Sequence, residues 1–222
     1  MVPCVFWTLV ELHRRPQFVK ALVASIDRYS PSQGATYNIH DITNLPLVDS
    51  IFAETVRLRM ASIAVHTQGK TLQLDDHWIV PKDTPIVVFS HDISLNSEAW
   101  ANARSRTVEK PLEEYWAERF LVSGRTESKA SQRGQRNDAS ALSFDMEGLE
   151  SLNINIGNGQ QPVLGHDYMR AVHAASLAVL VNEFEVQLCD PEIFDVVVPP
   201  VREMAYGILK PVEKIAVRIR KR

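Results

Sequence analysis

Ser143-Phe-Asp-Met-Glu-Gly-Leu-Glu-Ser-Leu-Asn-Ile-Asn-Ile-Gly-Asn-Gly-Gln-Gln-Pro-Val-Leu-Gly-His-Asp-Tyr-Met-Arg170 is the stretch on which the reading of this chain turns. A loop punctuated by Gly157, Gly159 and Gly165 runs into an apolar, alanine-rich helix. Glycine has no Cβ, so such a loop lets main chain approach a flat or bulky ligand closely. Taken alone it is a turn before a helix, and its meaning depends on its surroundings.

Those surroundings are globular. The chain has 222 residues, 45% hydrophobic and 23% charged, enough to bury a core and unlike collagen-like, coiled-coil or wholly disordered chains. A formal net charge of -3 argues against nucleic acid as a partner. Two cysteines, Cys4 and Cys189, make no disulfide framework and point to a reducing compartment. Glu11, His13, Arg14 and Arg15 end the apolar start early, and no run approaches the ~18 apolar residues that span a bilayer. The expectation is a soluble, cytoplasmic protein with no membrane span.

Working outward along the chain, Phe6, Leu9, Val10 and Leu12, then Phe18, Leu22, Val23 and Ile26, recur at helical spacing. Pro16 separates two helices there. Another helix opens at Pro46 and carries Glu54-Thr55-Val56-Arg57. Residues three apart share a helix face and can pair, commonly as a solvated ion pair. Short strands are predicted over 72–74, 77–80 and 86–89, and a short helix over 96–102. Residues 124–141 are polar and poor in large apolar side chains, and read as a mobile insert. After the glycine loop the periodicity predicts a helix over 167–184, buried around much of its circumference. Strands over 185–188, 196–198 and 215–219 close an α+β chain, read as one domain over 1–222.

In order and spacing these pieces resemble the C-terminal half of the cytochrome P-450 monooxygenase fold, mainly helical with small antiparallel sheets. The glycine loop resembles the family's haem-binding Phe-x-x-Gly-x-x-x-Cys-x-Gly, which falls on Ile156, Gly159, Val163 and Gly165. Glu54 and Arg57 match its Glu-x-x-Arg, and Ala117-Glu118-Arg119-Phe120 resembles its Pro-Glu-Arg-Phe. The resemblance implies that Glu54, Arg57 and Arg119 form the family's structural brace. It also marks departures. The family's iron-ligating cysteine is Val163, which has no lone pair to give a metal. Its common propionate arginine is His66, the basic residue before the cysteine is Gln161, and the arginine after the loop is His166. The N-terminal half of the family fold is not represented. Gly157, Gly159, Val163, Gly165 and His166 then read as a relic haem loop, with no metal and no cofactor.

What the resemblance implies for function follows from those losses. The segments that line the family's substrate site correspond to 59–66 and 204–207. They suggest His66 and Tyr206 as catalytic hydrogen-bonding or acid/base groups, with Arg59, Ser62, Ile63, Met204 and Ala205 as substrate contacts. The expectation is a haem-free, cofactor-independent enzyme of secondary metabolism. It would cyclise or isomerise a hydrophobic terpenoid or polyketide, for example by an intramolecular cycloaddition of Diels-Alderase type. The alternative is a non-catalytic pseudoenzyme that docks a full-length oxygenase, or a second copy of itself, through an exposed apolar face. A haem-dependent monooxygenase fits the sequence least.

Overall fold

The computed structural model describes residues 2–27, 37–123, 142–155, 165–190, 207–208 and 213–222. The relic-loop glycines 157 and 159, Val163, the candidates Met204, Ala205 and Tyr206, the strand expected over 196–198 and the insert over 124–141 lie outside the described residues.

Two helices, α1 (Val2–His13) and α2 (Pro16–Asp27), meet at the Arg14–Arg15 turn. Pro16 starts α2, where its missing N–H costs nothing. A short α3 (Ile39–Thr43) is capped by the Asn38 side chain, which accepts from the His40 N–H. Central to the molecule is α4 (Pro46–Arg59), on which every residue from Val48 to Arg59 is buried. It packs against α1, α2 and α3, and later against α7 (His166–Glu183). Its apolar side chains Val48, Ile51, Ala53 and Leu58 join Leu22, Ile26, Trp100, Phe120 and Leu177 in the main core.

The strands are short and pair in twos. β1 (Met60–Ala61) continues from α4, and β2 (Ile63–Thr67) follows it. β3 (Leu72–Gln73) and β4 (Ile79–Val80) form a small antiparallel hairpin, and β5 (Pro85–Phe89) returns to pair with β2. The helices α5 (Ser90–Ser94) and α6 (Ser97–Ala103) and a 3-10 turn (Ser105–Val108) lead to β6 (Leu121–Ser123). β6 pairs with β7 (Leu142–Phe144). Beyond α7, β8 (Phe184–Leu188) pairs with β10 (Val217–Lys221), and β9 (Gly207–Ile208) pairs with β1. Mixed helices and small antiparallel sheets are the class the sequence indicated.

The differences are local and have physical causes. The strand expected at 77–80 shrinks to β4, because the Asp75 carboxylate accepts from the His77 and Trp78 N–H groups and holds them in a turn. β2, which periodicity missed, shows an apolar face to solvent, with Ile63 37% and Val65 60% exposed. The helix after the glycine loop is buried along one stripe only (His173, Ala174, Leu177, Ala178 and Val181), while Tyr168 is 71% exposed. Its many alanines made it look apolar all round.

Candidate functional site

The Glu54–Arg57 pair is not a solvated surface pair. Both side chains are fully buried, with Arg57 Nε 2.7 Å from Glu54 Oε2 and Arg119 Nε 3.0 Å from Oε1. The Trp116 N–H also donates to Oε1 at 2.9 Å. Burial opposes ionisation of Glu54, but the two guanidinium groups and these hydrogen bonds outweigh it and hold the carboxyl below its usual range. Two cations against one anion leave an excess charge, and main-chain carbonyls absorb it. Arg57 donates to Ser94 and Leu112, and Arg119 to Thr107, Lys110, Pro111 and Glu114. This brace fixes the end of α4 from which β1 and β2 depart.

At that end three distant segments converge. Ala61 on β1 pairs with Gly207, and Met60 with Ile208. The Ser62 hydroxyl donates to Asn155 Oδ1 at 2.5 Å, and the Asn155 amide donates to the Met60 carbonyl at 2.9 Å. The Ser62 N–H donates to the Ser90 hydroxyl at 2.7 Å. Asn155 immediately precedes the glycine loop in sequence, and Gly207 immediately follows Tyr206. Ala61 of one segment expected to line a substrate site thus pairs with Gly207 at the end of the other, beside the approach to the loop.

Met60 belongs to a second apolar cluster with Cys4, Phe52, Val56 and Met169. At the far end of the loop Gly165 adopts φ +80°, a left-handed conformation that suits glycine, and precedes His166 at the start of α7. The Phe52 ring lies 5.7 Å from the His166 ring and 5.1 Å from that of His173. Among the described residues, His166 Nε2 and His173 Nδ1 are buried with no hydrogen-bond partner. His173 Nε2 lies 2.8 Å from Thr8 Oγ1, and Thr8 Oγ1 lies 2.9 Å from Thr55 Oγ1. Burial drives the His173 pKa down to about 3, so it is a neutral imidazole. The Cys4 thiol is pushed up to about 11 by its burial, which leaves it protonated and unreactive.

The other expected residues are placed as follows. Arg59 is buried, pairs with Glu11 and lies 4.6 Å over the Trp7 ring. Its charge is already partnered, and Nη1 is the atom without a hydrogen bond. Ile63 is partly exposed on β2. His66 stands exposed on the same strand opposite Ile86, about 13 Å of extended chain from Ser62. The ladder therefore brings Gly207 to Ala61 rather than to His66. Asn155, Ser90, Phe52 and Thr8 were not foreseen, since single polar or aromatic residues at separations of 28 to 165 positions carry no local pattern.

The donor set does not fit a thiolate-ligated haem. Valine at position 163 offers no lone pair, Cys4 is packed against Phe52 and Val56, and Cys189 is exposed beyond β8. No step below is routed through that group.

Comparison with known proteins agrees with the fold. The sequence model of the family described as Cytochrome P450 matches residues 3–121. The cytochrome P450 monooxygenase fsoE of Humicola fuscoatra is 26% identical over all of this chain and 39% of its own length. The cytochrome P450 monooxygenase efuG of Hormonema carpetanum is 25% identical over all of this chain and 41% of its own. The (+)-menthofuran synthase of Mentha piperita is 24% identical over 82% of this chain. The chain spans about two fifths of the length of the two fungal relatives.

Proposed function

This chain belongs to the cytochrome P450 family, and from that premise we propose that it is a haem-free enzyme that cyclises or isomerises a hydrophobic terpenoid or polyketide. One observation carries the reading: β1–β9 pairing and the Ser62–Asn155 bond bring the 60–62 segment, Gly207 and Ile208 and the approach to the glycine loop to one place. The side chains packed nearby (Met60, Met169, Phe52, Cys4) are soft and apolar, a chemistry compatible with a hydrocarbon skeleton.

An intramolecular cycloaddition needs no oxidant and no cofactor. Two carbon–carbon σ bonds form at the expense of two π bonds, and no atom is gained or lost. Holding the two reacting ends together supplies up to about 7–11 kcal/mol of the barrier in favourable cases. Tyr206 and His66 are assigned as groups that polarise a substrate carbonyl or move a proton, a role worth roughly 10²–10⁴ in rate. Tyr206 immediately precedes β9 in sequence, and His66, on the exposed strand β2, serves only a substrate that extends along that strand.

A second reading rests on a specific surface. The cross-strand pair Val65–Val87 is 60% and 47% exposed, and Trp78 and Ile79 on the neighbouring hairpin are 69% and 64% exposed. Such a face suits a polypeptide partner, either an oxygenase or a second copy. The exact mass of the compound that accumulates when the gene is deleted separates the readings. An isomer of the normal product supports the cyclase. A compound lacking oxygen, or holding two extra hydrogens, overturns it in favour of the oxygenase partner.

A further inference from the structure

We propose that β2 is an interaction edge that pairs antiparallel with β2 of a second copy of this chain, in the register that sets Val65 opposite Val65. It rests on the polypeptide-partner reading of this face and commits it to one occupant. The β2–β5 ladder fixes which main-chain groups of β2 point away from β5. The Ser90 N–H donates to the Ser62 carbonyl at 3.0 Å, which makes residues 62 and 90 a hydrogen-bonded pair. Antiparallel pairs alternate, so Ala64–Val88 and His66–Ile86 bond to each other, while Ile63–Phe89, Val65–Val87 and Thr67–Pro85 do not. Pro85, with no N–H to give, fits such a position. The N–H and C=O groups of Ile63, Val65 and Thr67 therefore point outward from the sheet. All three residues are exposed, and among the described residues these groups have no hydrogen-bond partner.

Open edges are ordinarily guarded by charge or proline. Among the described residues the two longer ladders follow that rule at every strand but one. β10 carries Arg218, Arg220 and Lys221, β8 carries Glu185, and β5 opens on Pro85. β2, Ile63-Ala-Val-His-Thr67, has no charged side chain, proline or glycine. The nearest ions past its end, Lys82 and Asp83, face one another at 3.8 Å.

The edge complements itself. With Val65 on a two-fold axis, Ile63 faces Thr67 of the second copy and Thr67 faces its Ile63. Every outward residue then exchanges two main-chain hydrogen bonds, whereas a shift by two residues leaves one on each copy unpaired. No charge meets its like, and His66 faces Ala64 instead of itself. The exposed valines line up across four strands as Val87, Val65, Val65 and Val87, a row of β-branched neighbours that favours pairing. Five residues a side fall short of the ~1,200 Å² that a stable interface buries. The antiparallel direction sets Thr67 of each copy beside Ile63 of the other, so the β3–β4 hairpin of each points toward the body of its mate. Leu74, Trp78 and Ile79, all exposed there, add apolar area to the contact.

Sedimentation velocity of the full chain across a dilution series tests the proposal, and a concentration-dependent dimer is expected. Val65→Lys sets like charges together on the axis, and Val65→Pro removes an outward N–H without touching the bonds to β5. Each should raise the dimer dissociation constant at least tenfold, and circular dichroism shows whether the variant is folded. Cysteine pairing reads the register, in a Cys189→Ser background. Val65→Cys brings two Cα atoms about 5.5 Å apart, within disulfide range, whereas Thr67→Cys leaves them about 14 Å apart. Mild oxidation should link the first and not the second. A monomer at every concentration, a dimer indifferent to both substitutions at Val65, or equal linking through position 67 would each overturn the proposal. The cyclase reading survives any of these, because the mass of the accumulating compound tests it separately.

Discussion

Thr8 on α1 and His173 on α7 meet through a 2.8 Å hydrogen bond at complete burial, 165 positions apart in sequence. Thr8 also reaches the Cys4 carbonyl and Thr55, and Thr55 lies 3.3 Å from the Tyr115 hydroxyl. A line of polar groups thus ties α1, α4 and α7 together inside an apolar core. Buried hydroxyls and imidazoles persist there only because each finds a partner.

That line makes the protein sensitive to acid. The His173 pKa falls from 6.5 to about 3 on folding, so between those values the unfolded chain binds a proton that the folded chain refuses. Stability is intact above pH 6.5 and declines as pH falls, by about 1.4 kcal/mol per pH unit. Urea unfolding from pH 7 to pH 4 is expected to show this loss in the native protein and not in His173→Gln. Parallel curves for the two would contradict the buried neutral imidazole.

Removing the brace anion should be severe. Glu54→Gln leaves two buried guanidinium groups without a counter-charge, at a cost of about 3–5 kcal/mol. Arg119→Lys should not restore stability in an otherwise native chain, because one ammonium cannot reach Glu54 and four carbonyls at once. Thermal unfolding of both variants provides the measurement.

The two cysteines should differ in reactivity. Cys4 is buried and its thiol is raised to about 11, whereas Cys189 is exposed. Iodoacetamide at pH 8 should add one label to the folded chain, at Cys189, and a second only in denaturant. Peptide mass mapping distinguishes the sites.

Haem should not bind tightly. With Val163 where the family keeps its thiolate, titration with haemin is expected to give no sharp Soret band that shifts with carbon monoxide after reduction. A stoichiometric, tightly held haem would sink the haem-free reading.

The junction at Ser62 should behave as a unit. Ser62→Ala and Asn155→Ala each break the 2.5 Å bond between them. A double-mutant cycle is expected to show coupling of about 0.5–3 kcal/mol in stability. Additive effects would mean that the 60–63 segment and the approach to the loop are held independently.

How much of this was legible beforehand depends on sequence distance. Glu54 and Arg57 sit one helical turn apart, so a local pattern revealed them, and Arg119 followed from a motif. Pro16 and the apolar spacing of α1 and α2 were equally plain. Asn155, Ser90 and Thr8 are joined to their partners only by the folded chain, through two hydrogen bonds each to distant segments. Strand β2 escaped notice because its apolar face points to solvent, the reverse of the alternation by which a half-buried strand is recognised. His66 was singled out by alignment with a charged position, and its strand carries it away from the ladder at Ala61.

The β1–β9 ladder joins Met60 and Ala61 to Ile208 and Gly207 by main-chain bonds alone, which every residue except proline can make. Apart from Ser62 and Asn155, whose side chains tie the junction together, side chains of the ladder are therefore free to vary while the backbone beneath them stays put. A lineage carrying this scaffold can alter the polarity of the surroundings of Ala61 by single substitutions, without first losing the ladder.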